Sequence, residues 1–459
     1  MHARFDRGRR AWPAIVALSI AIACHGDRAI APGGGGTILL MAGGDQQAVA
    51  GELLPDDVSV LVVDRAGNPA PHVRVQWFPE DSGVADPPTG VSGADGVVRA
   101  RWTLGPESGT HHLIVDANGY LALTVRAEGT PPPLPLNTPT LLELTTADGS
   151  GQTVHPDFLD LRSADPLRAE FLAITPYPAG DIMWENPAIY TSPDRIRWTA
   201  PGFAINPVET PQRGYLSDPD IVYDSAAAQI RLYYRQVDRE NEILMTHSSD
   251  AVTWSAPVLV AHARNHEIVS PTIVRRSATE WLMWAVNGHG GCNAPFTDVQ
   301  LRRSADGITW SDPQPVQLNQ QGFTPWHIEV QWIESRGEYW ALYNGKTPES
   351  CSTPALFLAT SPDGVTWTTF PSPMLTRGEL PDLADIVYRS TFTYHPRSDV
   401  ITFWFSGARY DGSRFVWRTM VQRLRRADVF TRIAAPLPVA VRTRLGALRA
   451  GVPLLMDPP

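Results

Sequence analysis

The sequence predicts an all-β chain in which a β-sandwich precedes a five-bladed β-propeller, and three observations carry that prediction. A phrase recurs four times: Ser192-Pro-Asp194-Arg-Ile-Arg-Trp198, Ser248-Ser-Asp250-Ala-Val-Thr-Trp254, Ser304-Ala-Asp306-Gly-Ile-Thr-Trp310 and Ser361-Pro-Asp363-Gly-Val-Thr-Trp367. Its tryptophans lie 56, 56 and 57 residues apart, a period that four-stranded propeller blades produce. The sequence between the marks is β-rich and lacks the helical spacing of a solenoid. Upstream, residues 37–128 alternate apolar and polar positions in short runs separated by turn residues.

The chain begins with a targeting pattern. Arg4, Arg7, Arg9 and Arg10 precede an apolar run from Ala11 to Ala23 that is too short for an ordinary membrane span, and Cys24 closes it. Ala21-Ile22-Ala23-Cys24 resembles a bacterial lipobox, although leucine is usual where Ala21 stands. That resemblance implies a lipid on Cys24, and plain secretory cleavage near Ala23 is the alternative. Both readings export the mature chain, to the bacterial surface or periplasm. Residues 25–36, ending in Gly33 to Gly36, read as a tether.

In residues 37–128, Val58–Val63, Val73–Phe78, Gly96–Trp102 and His112–Val115 read as strands of a sandwich of about seven. The phrases Val62-Val-Asp-Arg-Ala-Gly-Asn-Pro69, Gly93-Ala-Asp-Gly96 and Trp102-Thr-Leu-Gly105-Pro106 resemble those of bacterial Ig-like domains of the invasin type. The resemblance implies a spacer or presentation module. Residues 129–136 form a proline-rich linker. Residues 137–430, divided by the period, give five blades, with Trp417 as a degenerate fifth mark and Thr140–Thr145 as a strand that closes the ring. The tail, 431–459, carries no pattern.

The composition narrows the function. A net charge of −10 excludes nucleic acid or an anionic membrane surface as the main partner, so the membrane is reached only through an anchor. A monomer is expected. Export allows Cys292 and Cys351, at similar places in successive repeats, to form a disulfide; without a second close pair they lack zinc-ligand spacing.

A second repeated element lies upstream of the tryptophan marks: His155-Pro-Asp157, Asp218-Pro-Asp220, Ser270-Pro-Thr272, His327-Ile-Glu329 and Tyr388-Arg389-Ser-Thr-Phe. Each precedes an apolar strand. Inner propeller strands begin at the channel mouth, so these starts should converge on one axial pocket. Several carboxylates in one pocket suit glycosidic cleavage, where one acid protonates the departing oxygen and another carboxylate activates water or attacks carbon. Arg235 and Arg389 suit a clamp on a sugar or a counter-charge to the acids. Tyr177, Trp184, Trp284 and Trp326 suit stacking on sugar faces.

On these residues the region resembles the five-bladed propeller glycosidases of the family 43 and family 32 superfamily. The resemblance implies Asp157 as base, Asp218 as the group that tunes pKa and Glu329 as acid, with His155, Asp220, Glu185, Trp326, His327, Tyr388, Arg389 and Arg235 lining a glycan site. Glu185, in Glu185-Asn186-Pro187, matches the family's Glu-x-Pro acid and competes with Glu329; Glu267 is a third candidate. The marks are one residue shorter than sialidase Asp-boxes, and five blades fit sialidases less well than six. No organic cofactor is implied; an axial calcium, carried by some relatives, fits the resemblance without a ligand set that demands it. A non-catalytic carbohydrate-binding surface protein or adhesin is the rival reading.

Overall fold

The computed structural model describes residues 35–131, 133–162, 167, 169–201, 214–238, 240–264, 266–348, 351 and 353–436. The leader, Cys24, nearly all of the tether and the tail beyond 436 lie outside them. Contacts divide the chain into two compact units, one comprising 35–106 and 110–128, the other running on from Gly129. Among the described residues no helix is long and apolar enough to cross a membrane.

The first unit is a sandwich of two five-stranded sheets. Val58–Asp64 and Val97–Thr103 lie in one sheet, Arg74–Pro79 and Gly109–Asp116 in the other. Alternating side chains of both sheets, including Val60, Val62, Val75, Trp77, Trp102, Leu113 and Val115, make a single core. Ten strands form where about seven are expected, because Gln46–Val49, Val84–Asp86, Thr89–Val91 and Tyr120–Leu121 are too short to show alternation. The tether also ends one residue early. Gly36 opens a strand, where a Cβ would lie 1.9 Å from the Val63 carbonyl oxygen.

The second unit is a five-bladed propeller of antiparallel sheets. The inner strands of blades 1 to 4 are Thr153–Asp160, Tyr215–Asp224, Val269–Ser277 and Thr324–Ile333. Blade 5 has an interrupted inner strand, Ile386–Val387 and Thr391–His395. Each inner strand packs on the next, and that of blade 5 returns to blade 1, which closes the ring.

The repeated phrase is the turn that follows the third strand in each of blades 1 to 4. Asp363 Oδ1 accepts the backbone N–H groups of Val365 and Thr366, both at 2.8 Å, and Ser361 Oγ donates to it at 3.0 Å. Asp194, Asp250 and Asp306 repeat the pattern. The turn then docks on the preceding blade: Trp284 Nε1 donates to Gly364 O at 2.8 Å, and Trp367 meets Trp284 edge-on. One blade earlier, Tyr233 donates to Gly307 O and meets Trp310 in the same way.

Four marks serve five blades for a topological reason. The outer strand of blade 5 is Thr140–Leu141, from the start of the unit, paired with Phe415–Arg425. No third-to-outer turn exists there, so Trp417 is not a degenerate mark; it is a buried strand residue packed on Tyr177 and Tyr388. Glu143–Leu144 pairs with Arg197–Trp198 of blade 1, so one segment ties both sides of the seam. The expected boundary at 430 also moves, since helix Arg426–Ala434 crosses it and buries Val429 and Ile433 against the propeller. The disulfide joins Cys292 to Cys351 between blades 3 and 4.

Gly364 is at φ 73° in this docking turn, and a Cβ would come within 2.6 Å of the Trp284 ring. Gly364→Ala is expected to cost about 1–3 kcal/mol by overpacking a buried contact, measured by urea unfolding with Gly378→Ala, where a Cβ meets nothing within 4 Å, as the control for backbone strain alone.

Candidate functional site

All five inner strands carry one extra residue at the same place. Pairing with the second strand slips between Val154 and Asp157, Ser217 and Asp220, Val269 and Thr272, and Pro325 and Ile328. In blade 5 the slip falls between Val387 and Thr391. These are β-bulges, devices that re-aim side chains beside active sites. In blades 1 to 3 the bulge residue takes a left-handed conformation, at His155 (φ 57°), Asp218 (φ 51°) and Ser270 (φ 54°), each followed by proline. Proline suits the place because it brings no N–H that the interrupted ladder would leave unpaired.

The bulges sort the channel side chains into two tiers. The upper tier comes from the bulges: His155, Asp218 and His327 bring one ligand atom each to within 4.8 Å of one another. The lower tier lies two residues further along, where Asp157, Asp220 and Glu329 meet equally closely. Both triads are buried. The sequence reading joins Asp218 to Asp157 and Glu329. The structure instead gives that place to Asp220 and sets Asp218 between two imidazoles, because the left-handed residue changes which side chain follows the strand's alternation.

The lower tier stitches blades together. Asp157 Oδ2 accepts Ile221 N–H at 2.6 Å, Asp220 Oδ1 accepts Ile273 N–H at 3.1 Å, and Thr272 Oγ1 accepts Val330 N–H at 3.1 Å. Each acceptor thus reaches the residue just after the next blade's lower-tier member. Arg389 Nη2 lies 3.5 Å from Glu329 Oε2, and Thr391 Oγ1 donates to Asp157 Oδ1 at 3.2 Å. Thr272 and Thr391 carry no charge and invite no chemistry from sequence; the repeat alignment was the signal that could have found them.

The upper tier is differently satisfied. Asp218 Oδ2 lies 3.3 Å from both Arg235 Nε and Ser217 Oγ. Its Oδ1 stands 3.5 Å from His155 Nε2, 3.3 Å from His327 Nδ1 and 3.8 Å from Arg389 Nη1. None of those approaches is directed well enough for a hydrogen bond: Asp218 Oδ1, His155 Nε2 and both ring nitrogens of His327 are buried without a hydrogen-bond partner. On its other side His155 Nδ1 faces Glu185 Oε2 at 3.4 Å and Thr175 Oγ1 at 3.4 Å. Tyr388 packs against both imidazoles, 4.3 Å from His327 and 5.3 Å from His155.

Electrostatics divides the tiers in the same way. Burial alone raises the Asp218 carboxyl, but His155, Arg235 and His327 reverse this and hold it well below the usual range. Burial lowers the His327 imidazole against the pull of Asp218, which favours its neutral form. In the lower tier burial raises all three carboxyls, and mutual repulsion carries Asp220 and Glu329 well above the usual range. Arg389 opposes that rise from between the tiers.

Other sequence candidates lie outside the two triads. Glu267 is a turn residue whose Oε2 accepts Arg264 N–H at 3.2 Å. Trp284 is blade packing rather than a mouth aromatic, Tyr177 is buried on Trp417, and Trp326 is buried beneath His266 and edge-on to His327. Trp184 is exposed one residue before Glu185. The single lysine, Lys346, is buried below the disulfide loop, donates to Ala294 O at 2.8 Å and is pushed down to about 8 by burial.

No protein-family model matches the chain. A curated relative, the A type blood N-acetyl-α-D-galactosamine deacetylase of Flavonifractor plautii, is 27% identical over 332 residues, 61% of this chain. The chain spans 41% of that relative's length. Among solved structures, an N-acetylgalactosamine deacetylase from F. plautii in complex with blood group B trisaccharide aligns with TM-score 0.57 and 23% identity, covering 62% of this chain and 94% of the other. A thermostable family-43 glycoside hydrolase aligns with TM-score 0.46 and 13% identity, over 62% and 92%.

The raised lower-tier carboxyls keep protons that the unfolded chain releases above about pH 4. They therefore subtract from stability as pH rises from there toward their folded values. Glu329→Gln is expected to be more stable than the parent at pH 7 and nearly equal to it at pH 4, in urea unfolding at both pH values.

Proposed function

We propose that the propeller is a carbohydrate-processing enzyme that removes the acetyl group of an N-acetylated amino sugar by metal-assisted amide hydrolysis. The observation that carries this is the upper triad: two imidazoles and a carboxylate from three blades, buried, close together and facing one another at ion-pair distance without a well-directed hydrogen bond. An unmade hydrogen bond costs a buried polar group about 1–3 kcal/mol, and three such groups sharing one point fit a divalent ion. The relative's activity on N-acetylgalactosamine supports the choice of bond.

His155, Asp218 and His327 would hold the ion. When bound, it would polarise the acetamide carbonyl as a Lewis acid and lower the pKa of the attacking water. Glu185 and Thr175, at Nδ1 of His155, turn Nε2 toward the triad, as partners of metal-binding histidines do. Arg235 and Ser217 fix Asp218 through Oδ2 and leave Oδ1 to the centre. In the hydrolysis, water oxygen joins the carbonyl carbon, the C–N bond breaks, the amine takes the proton and acetate departs. Trp184, exposed beside Glu185, is the aromatic placed to meet a sugar face.

A second reading, glycosidic cleavage by the lower tier, draws support from the raised Glu329 carboxyl, which suits a general acid. Against it, Asp157 spends both oxygens on Phe158 N–H, Ile221 N–H and Thr391. The same proposal takes the protein as exported, with lipid on Cys24 and the sandwich as a spacer, supported by the leader pattern and the disulfide.

The test is acetate release from N-acetylgalactosaminyl oligosaccharides by the purified protein. His155→Ala, Asp218→Asn and His327→Ala are each expected to lower it at least about 100-fold, and a chelator should abolish it until a divalent metal is restored. Glu329→Gln should retain it. Release of sugar instead of acetate, lost in Glu329→Gln and indifferent to chelator, would establish the second reading.

A further inference from the structure

At the opposite end of the propeller from the bulges, the seam between blades 5 and 1 holds a cavity of about 210 Å³. Arg162, Arg195, Arg423, His395, Asp194 and Leu134 are among its lining residues. Three arginines and a histidine dominate the lining, Asp194 is the one acid among the lining residues, and that acid and those nearby are already committed. Asp160 takes Arg162 through two bonds, Oδ1 to Nε at 3.0 Å and Oδ2 to Nη2 at 2.6 Å. Glu170, buried, grips Arg195 through Nε and Nη2, and its Oε1 lies 3.1 Å from Arg162 Nε as an ion pair. Asp194 spends Oδ1 on the N–H groups of Ile196 and Arg197, and its Oδ2 faces Arg197 at 3.5 Å.

These bonds fix the guanidinium groups without using all their donors. Among the described residues Nη1 of Arg162 and of Arg195 stay outside the carboxylate bonds, and the Arg195 guanidinium carbon lies over the Phe158 ring, 5.7 Å from its centroid. Arg423 donates Nη1 to Leu134 O and has no carboxylate partner among the described residues. The cations are felt across the cavity: burial, Arg195 and Arg423 push the His395 imidazole down to about 4, and burial with Arg195 lowers Arg423. A half-closed cavity with preset guanidinium donors and an uncompensated cation is built for a planar or tetrahedral oxyanion.

We propose that this cavity is an anion-binding site, separate from the channel, that takes the terminal carboxylate or phosphate of a small ligand on Arg162, Arg195 and Arg423. Two sources share that chemistry, an acidic sugar and a free phosphate. Neither depends on the reaction proposed for the channel.

The experiment follows the His395 ring by NMR in the full chain, titrated with inorganic phosphate, glucuronate or, as a neutral control, glucose. Phosphate or glucuronate should shift the ring signals saturably and raise the His395 titration midpoint by about one pH unit or more, since a bound anion stabilises the imidazolium. Arg423→Gln should weaken binding at least about tenfold while leaving channel activity unchanged. A response to phosphate alone assigns a phosphate ligand, and one to glucuronate alone an acidic sugar; either supports the proposal. Signals that move no more with the anions than with glucose, in the unaltered protein, overturn it irrespective of how the variant folds.

Discussion

The structure depends on a ring of side-chain hydrogen bonds around the propeller axis, each running from one inner strand to the backbone or side chain of the next. Asp157, Asp220 and Thr272 reach Ile221, Ile273 and Val330, Glu329 meets Arg389, and Thr391 returns to Asp157. An inner strand has no sheet partner on its axial side, so without these bonds its free N–H groups would be buried unpaired, each at about 1–3 kcal/mol. The bonds fix the rotation of every blade relative to its neighbours. That fixed rotation allows residues from blades 1, 2 and 4 to meet at one point above the ring.

The bulge makes the second tier possible. A regular strand presents one residue in two to the axis, and every axial side chain would serve the stitching. An extra residue at the strand start adds an upper side chain without disturbing the lower one. Left-handed φ at His155, Asp218 and Ser270 is unfavourable for residues with a Cβ, by about 1–2 kcal/mol each. Such outliers persist where surrounding structure over-determines them and cluster at functional sites. Here the ring below supplies the over-determination.

Arg389 links the tiers electrostatically. Buried between Asp218, Asp220 and Glu329, it opposes the rise that burial and repulsion impose on the lower carboxyls. A fully buried arginine needs acids around it, and three buried acids need a cation. The tier that stitches and the tier that gathers ligand atoms are therefore parts of one charge network. The seam shows a similar economy: Thr140–Leu141 completes blade 5 and Glu143–Leu144 joins blade 1, so one segment closes the ring.

What the sequence determined by itself was whatever repeats or alternates. The tryptophan marks reveal blade number because each is a local turn, bonded by its own Asp and Ser and legible within seven residues. Strand alternation in the sandwich is legible for the same reason, as are the columns from His155 to Arg389. Which members of a column share a point was decided only by tertiary structure. A one-residue bulge exchanges Asp218 for Asp220 in the carboxylate triad, and no pattern of residue types shows where a ladder slips. The fifth mark is missing because its strand comes from the other end of the unit, and Glu185 meets His155 from a loop outside the column. Local hydrogen bonds write themselves into adjacent residues, whereas register and ring closure arise from pairings between distant ones.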